Sequence, residues 1–492
     1  GAKTIGLFGS VCLVINNCTG PAMVTLGTSF AQAGWFPATL LLVLVGVLSF
    51  LSAGFLCEAI FLMRRKDRVE ICDAVKVVIL ERVAFLTFFW SFVALFLTLN
   101  VASIIESAQT TDQLLVFYAG KSCGMELFPD FGKLFCVHDL GNFDSPFGSG
   151  VWVISLGFLL TLSVVLPLSF LNLDENIIVQ KISTIGLLTV ITAWVIQFLF
   201  ITKTNLSVPP AFGPSQKQLF GNVLFNFSFA LTLPSWLNEK TPGVSSSKTV
   251  FISVLASVVV FVLLGWTAAS AYYSHFQDSA EDITTVLTQT SSTSPTTKFF
   301  AFLFPPFVLW SGIPVYAIII RYNLISERIL DPLPASIFAA VLPWVLSLLF
   351  YSGTLIDDLT TWAGLLLVVP LNFCVPCVLY LRAIAPLAAP SSELEAAPMA
   401  DTLDTRSPLA EPLVAQGESS LLEESEDTSP TEPHPSIRME GGEDTRRRES
   451  LEAETFDWGS TLDMHMHGKN VAIGVLVTSA VLVLAALIAT LS

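Results

Sequence analysis

Two amides, a thiol, a hydroxyl, a glycine and a proline stand in a row at Asn16-Asn17-Cys18-Thr19-Gly20-Pro21, followed by Ala22, in the middle of an apolar run from about Ile5 to Ala33. Their chemistry is hydrogen bonding rather than acid–base or redox work. Proline supplies no N–H and clashes with the preceding turn, so a helix passing through this point must break. Inside a bilayer, freed backbone groups persist only where protein or a water-filled cavity satisfies them. A break at mid-span therefore marks a place to bind something small. The other reading of the same residues is a proline kink whose polar groups bond neighbouring helices.

The interruption recurs at Phe225-Asn226-Phe227-Ser228-Phe229-Ala230-Leu231-Thr232-Leu233-Pro234-Ser235-Trp236, again midway along an apolar segment. Between the two lies an unusually polar stretch: Asn100, Ser103, Glu106, Ser107 and Gln109 follow a clean apolar run from Phe85 to Leu99. Asn100, Ser103 and Ser107 share one helical face. Glu106 falls one or two turns outside the middle of its segment, where it is either functional, as intramembrane carboxylates are by default, or simply wetted in a vestibule. Trp310-Ser311-Gly312-Ile313-Pro314 places a hydroxyl and a proline near the middle of a later segment. Cys374-Val-Pro-Cys377 lacks a partner pair and reads as helix packing.

Composition supplies the elements that position these residues. The 492-residue chain is 53% hydrophobic and 13% charged, with mean hydropathy +0.70, values that indicate a polytopic membrane protein. Eleven segments long enough to cross the hydrocarbon core run near 5–33, 37–62, 84–116, 151–172, 182–202, 219–238, 249–273, 299–322, 330–352, 361–381 and 470–491. Nineteen Lys/Arg fall on one side of this topology and five on the other, which makes the N-terminus cytoplasmic. The chain begins on Gly1, so a native start upstream is expected. The net charge of −16 is concentrated in residues 385–469, with 19 Asp/Glu against six Lys/Arg. Elsewhere the chain is near neutral, and no nucleic-acid partner is implied.

Residues 1–383 thus form a ten-helix core, 384–469 an acidic loop too poor in apolar residues to fold alone, and 470–492 an eleventh span. In the loop, Arg446-Arg447-Arg448-Glu449-Ser450 resembles a basophilic kinase site at Ser450, or is a solvated charge run. Cys123 and Cys136 share the outer loop 118–150 and are expected to pair on that oxidising side, the alternative being two free thiols. Asn205-Leu206-Ser207 is an N-glycosylation sequon on the same face. If segments 1–5 (about 5–202) and 6–10 (about 219–381) are inverted repeats, the interrupted first and sixth are counterparts, the best sequence pointer to a transporter's central site.

Thr19-Gly20-Pro21-Ala22-Met23-Val24-Thr25-Leu26-Gly27, then Phe30-Ala31-Gln32-Ala33-Gly34-Trp35, resembles the first-helix signature of the amino acid/auxin permease family, usually G-x-G-x-L-x-L-P ending in A-G-W. Pro234 to Glu239, Ile313-Pro314 through Arg321-Tyr322-Asn323-Leu324, and Pro376 through Leu379-Tyr380 agree with it. The resemblance implies an all-α leucine-transporter-like fold, a 5+5 inverted repeat with helices 1 and 6 discontinuous plus one extra helix, moving amino acids with a cation gradient. Two positions depart: Ala22 replaces the second glycine and Gly27 the usual proline. In the sodium-coupled members an asparagine before G-x-G and hydroxyls in segment 8 are associated with sodium. Asn16 matches the asparagine, and segment 8 offers Ser311 with Gly312 where a threonine is expected.

The function expected is a secondary active amino acid transporter coupled to protons or sodium, without a resident cofactor or metal. The half-helix beginning near Pro21 would hold the substrate carboxylate at its positive end. Thr19, Gly20, Ala22, Asn226 and Ser228 would complete the polar site, and Phe227, Phe229, Trp310 and Asn100 would shape the side-chain pocket. Asn16, Ser311 and Glu106 are the coupling-ion candidates. The rival is a nutrient receptor signalling through the acidic loop to a kinase or regulatory partner. A channel would need a filter or a ring of like charges, and an enzyme an acid–base or metal constellation; neither is recognisable. The sequence fits the cell surface and a vacuolar or lysosomal membrane equally.

Overall fold

The computed structural model describes residues 3–63, 68–79, 81–139, 145–148, 151–201, 208–278, 282–289, 293–351, 355–385 and 464–491. The chain divides into two units, Gly1–Ile384 with Ala453–Ser492, and Ala385–Glu452. The second unit, with Ser450, lies outside the described residues, as does Asn205.

The first segment is two half-helices. Helix α1 (Leu7–Cys18) stops at Thr19, which is extended and whose N–H still bonds Ile15 O. Gly20 is extended at φ −118° and ψ −168°, Pro21–Met23 make one 3-10 turn, and α2 (Leu26–Ala33) resumes. Gly34 then turns the chain at φ 92°; a Cβ there would lie 2.7 Å from the Ala211 carbonyl oxygen, so the glycine of the A-G-W run is a steric requirement.

Helix α3 (Trp35–Met63), the short α4 (Ile71–Val78) and the 38-residue α5 (Arg82–Ala119) follow. At 1.5 Å per residue α5 is about 57 Å long and reaches well beyond any hydrocarbon core. Its far end carries an antiparallel sheet in the order β2-β1-β3, built from β1 (Ser122–Phe128), β2 (Leu134–Val137) and β3 (Trp152–Ser155). Cys123 and Cys136 are register partners in that sheet and are disulfide-bonded. Because 152–155 pair as a strand, the fourth segment is shorter than its apolar run: α6 (Leu156–Leu168) starts from Ser155, whose hydroxyl accepts the Phe158 N–H at 3.0 Å.

The remaining elements are α7 (Ile177–Ile196), α8 (Leu219–Asn226), α9 (Leu233–Glu239), α10 (Ser246–Ala271), α11 (Tyr273–Asp278), α12 (Ile283–Gln289), α13 (Pro295–Ser326), α14 (Pro332–Phe350), α15 (Leu355–Ala363), α16 (Val375–Ile384) and α17 (Met464–Leu491). The sixth segment is again broken: α8 ends at Asn226, a 3-10 turn spans Ala230–Thr232, and α9 starts with Pro234 in its first turn. A π-helical stretch, Gly364–Cys374, joins α15 to α16 around Pro370. Among the described residues, eight helices are long and apolar enough to span a membrane. The other three of the eleven segments are the two broken ones and α6. Leu40, Val43 and Val47 on α3, and Ile178, Ile182, Ile185 and Leu188 on α7, form exposed apolar stripes, a surface suited to lipid.

The end opposite the sheet is fastened by α4. Glu70 caps it in a capping box with Asp73, while the Glu70 carboxylate accepts Ser235 Oγ at 2.6 Å and Asn238 Nδ2 at 3.0 Å from α9. The Cys72 N–H reaches Asn323 Oδ1 on α13 at 3.2 Å.

Candidate functional site

The two broken segments lie against each other, antiparallel, joined by side chains at three levels. Trp236 Nε1 donates to Ser10 Oγ at 2.9 Å, Asn17 Nδ2 to Thr232 Oγ1 at 3.0 Å, and Asn222 Nδ2 to Ser29 Oγ at 3.2 Å. As the residue number rises on one segment it falls on the other, the arrangement inverted repeats require. Within each break the hydroxyls satisfy local carbonyls: Thr19 Oγ1 bonds Ile15 O, Thr25 Oγ1 bonds Ala22 O, Ser228 Oγ bonds Phe225 O and Thr232 Oγ1 bonds Phe229 O. Asn372, in the π-helical stretch, accepts the Leu231 N–H at 3.4 Å.

A cavity of about 80 Å³ opens beside the first break. Pro21, Ala22, Val24 and Thr25 form one wall, and Ala102, Ile105, Glu106 and Gln109 of α5 another. Gln218 and Asn222, Asp282, and Thr360 and Thr361 complete it. Among the described residues no aromatic ring lines it, and two carboxylates with no Lys, Arg or His face it. Asp282 reaches the cavity because α11 and α12 are tied to the first segment and α5: the Ile283 N–H donates to the Val24 carbonyl at 3.0 Å, Gln32 Nε2 to Phe276 O at 3.2 Å, and Thr288 Oγ1 to Gln113 Oε1 on α5 at 3.1 Å. Gly27, where a proline is usual in the resembled family, leaves room for this seat; a Cβ there would lie 2.9 Å from the Phe276 ring and 3.1 Å from Ile283. Burial pushes the Asp282 carboxyl up, against donors from Thr285 and Thr284 that pull it down.

Of the polar-stretch and first-break residues singled out in the sequence, Pro21, Ala22, Glu106 and Gln109 line this cavity. Thr19 and Gly20 are buried beside it, with nothing within 4 Å of the position a Gly20 Cβ would take. Asn226, Phe227, Ser228 and Phe229 are buried in the second break. Asn226 Nδ2 bonds Asn222 O, and Phe227 packs edge-on to Phe261 at 5.6 Å. Asn100 is fully buried, and both its polar atoms, like Asn17 Oδ1, Asn226 Oδ1 and Trp310 Nε1, lack a hydrogen-bond partner among the described residues.

Asn16 and Ser311 are brought to opposite ends of one side chain, Gln180 of α7. Asn16 Nδ2 donates to Gln180 Oε1 at 2.8 Å and to Gln180 O at 2.9 Å. Gln180 Nε2 donates to Ser311 O at 2.8 Å, and Thr184 Oγ1 donates to Asn16 Oδ1 at 3.0 Å. Each of these oxygens accepts a hydrogen bond. Gln180 and Thr184 share a helical face one turn apart, a polar pair that their spacing could have flagged. Asp282 lay in a Ser/Thr-rich stretch with no comparable signal.

Two antiparallel discontinuous helices inside a bundle of spanning helices define a polytopic membrane protein of the leucine-transporter-like fold. Residues 3–126 match the model of the tryptophan/tyrosine permease family. The solved structure titled the inward-facing conformation of Mhp1 is similar at 12% identity, covering 77% of each chain with a TM-score of 0.53. A manganese transporter from Eremococcus coleocola, in complex with an aromatic bis-isothiourea compound, aligns at 12% identity over 98% of this chain and 94% of its own, with a TM-score of 0.46. No curated protein sequence matches the chain.

Proposed function

We propose that this protein is a secondary active transporter of small polar amino acids, working by alternating access around the cavity at the first break. The observation that carries the reading is that cavity. A freed helix start, a carboxylate and several amides converge on a space large enough for about six waters at 10–15 Å³ each. The substrate carboxylate would lie at the Pro21–Thr25 turn ahead of α2, where backbone N–H groups and the helix dipole favour an anion. Its ammonium would face Glu106. Asn222 and Gln109 would fix its orientation. Rocking of the two broken segments with α3 and α10 against the other helices would open the site first to one face and then to the other.

The family match suggests aromatic amino acids as cargo. The cavity's size, below the roughly 300–1,000 Å³ usual for drug-sized ligands, and its lack of aromatic rings support smaller substrates. The hydrogen bonds that occupy Asn16, Gln180 and Ser311 favour protons over sodium as the driving ion. The sheet-bearing end would be the non-cytoplasmic one, in keeping with its disulfide. Uptake of a labelled amino-acid panel into proteoliposomes tests the reading. Saturable accumulation that survives replacement of sodium by an organic cation is expected. No uptake of any amino acid under either gradient would end it.

A further inference from the structure

We infer that a groove between α3 and α10 is a binding site for one acyl chain of a bilayer phospholipid, one glycine away from the second break. The groove has a volume of about 220 Å³. Val43, Gly46 and Val47 of α3 form one wall, and Val254, Leu255 and Val258 of α10 the other. Phe50 and Phe251 meet edge-on at one end, their ring centroids 5.8 Å apart. Among the described residues no polar side chain lines the groove, so nothing there would pair with a headgroup or with the hydroxyl of a sterol, and a polar group left unpaired in such a place is costly. The favoured occupant is apolar throughout. Val43 and Val47 belong to the exposed stripe of α3 that suits lipid, and Leu255 continues it on α10, so the bilayer itself covers the groove.

Depth selects the tail. Trp35 opens α3, an aromatic of the kind that sits at the membrane–water interface. At 1.5 Å per residue Val43 lies about 12 Å along the helix from Trp35 and Phe50 about 22 Å, so the groove straddles the middle of a roughly 30 Å hydrocarbon core. Acyl tails reach that depth and headgroups do not. Gly46 makes both the groove floor and its link inward. A Cβ there would lie 2.6 Å from Val258 Cγ2 and 3.8 Å from Cζ of Phe227. The absent side chain lets α3 and α10 approach closely, as small residues do between spanning helices, and leaves the Phe227 ring next behind the floor. Phe227 is fully buried in the second break and packs edge-on to Phe261 of α10. A tail in the groove completes the dispersion contacts on the lipid side of this thin wall, and so steadies α3 and α10 around the break.

The test places the full-length protein in nanodiscs of phosphatidylcholine carrying a diazirine at the end of one tail, and maps the photolabel by mass spectrometry. Residues 43–50 and 251–258 should be labelled at least fivefold more than the exposed stripe Ile178–Leu188 of α7, which meets bulk lipid. Val47→Trp places an indole on the lipid-facing rim and fills the groove without touching the interior. It should bring the labelling of both segments down to the level of the α7 stripe. Adding phosphatidylcholine to the delipidated protein in detergent should raise the melting temperature of the wild type and leave that of Val47→Trp nearly unchanged. Equal labelling of groove and stripe, labelling that Val47→Trp does not reduce, or a lipid-induced rise in melting temperature of equal size in both proteins overturns the site. Stronger labelling of the groove by a diazirine sterol than by the phospholipid overturns the acyl chain as its occupant. None of these readouts involves uptake, so the site stands or falls separately from the transport reading.

Discussion

Asn17 of the first break and Thr232 of the second are hydrogen-bonded, Nδ2 to Oγ1, at 3.0 Å. This single bond crosses between two half-helix pairs that are far apart in sequence, and it sits where each has lost its regular backbone ladder. The Oδ1 atom of Asn17 has no partner among the described residues. The pin therefore holds the breaks in register and leaves one acceptor in reserve.

Removing either partner should act on the relation between the segments rather than on either segment alone. Asn17→Ala and Thr232→Val are each expected to cost about 1 kcal/mol of stability, the net worth of one buried hydrogen bond, and to lower the maximal uptake rate. The double variant should be no worse than the poorer single one, because both remove the same contact. A double-mutant cycle on melting temperature and uptake rate checks this. Strict additivity would show that the bond does not couple them.

The two breaks were legible because proline stands among amides and hydroxyls in the middle of an apolar run: Gly20-Pro21 and Pro234 each sit where the helix fails, whereas the prolines inside α13 and α14 leave those helices continuous. The eleven spans were legible for the same reason of hydropathy. The cavity's far wall was not. Asp282 lies in a stretch whose serines and threonines read as an exposed loop, yet Ile283, Val286 and Leu287 are buried, and the seven-residue α12 is too short for its periodicity to register. Gln180 was hidden differently: the fifth segment as read begins at 182, so its pairing with Thr184 along one face was cut off, although α7 starts at Ile177 and places Asn16 at one end of the amide and Ser311 at the other. Asp112, inside the third apolar segment, was read past because its partners, 10 to 239 residues away, come together only in the fold.

Gln180 gives a prediction about coupling. Its Nε2 donates to the Ser311 carbonyl, a bond a carboxylate cannot make and a protonated carboxyl can. Gln180→Glu should therefore cut uptake at least tenfold at neutral pH and recover it on acidification. Wild-type uptake should not respond to sodium. Sodium-dependent wild-type uptake would show that the amide bridge gives way to the ion.

Asp112 is a structural knot. Its carboxylate accepts Ser122 Oγ at 2.7 Å from β1 and the Gly157 N–H at 2.8 Å from α6, and it also accepts the Tyr351 hydroxyl from the end of α14. Asp112→Ala would strand these buried donors together and should cost about 2–4 kcal/mol, read as a drop in melting temperature in detergent. Asp112 does not line the cavity, so half-saturating substrate concentration should hold steady in whatever protein remains folded. A shifted half-saturation with normal stability would move Asp112 into the binding machinery.

Glu70 makes the end of the protein opposite the sheet sensitive to pH. Burial pushes its carboxyl up from 4.5 to about 7; the Ser235 and Asn238 donors oppose the rise, and the charges of Asp73 and Glu239 add to it. In the unfolded chain the proton leaves near the ordinary value, so between pH 4.5 and 7 the folded protein holds a proton that the unfolded one has lost. Stability is then fully present below the lower value, falls as pH rises through this window and levels off above it. The shift corresponds to about 3 kcal/mol. Because Glu70 joins α4 to α9, the loss loosens the grip on the second broken segment at that end. Glu70→Gln has no proton to lose, and its melting temperature should be nearly flat from pH 4.5 to 8, where the wild type declines. Parallel curves for the two proteins would place the titrating group elsewhere.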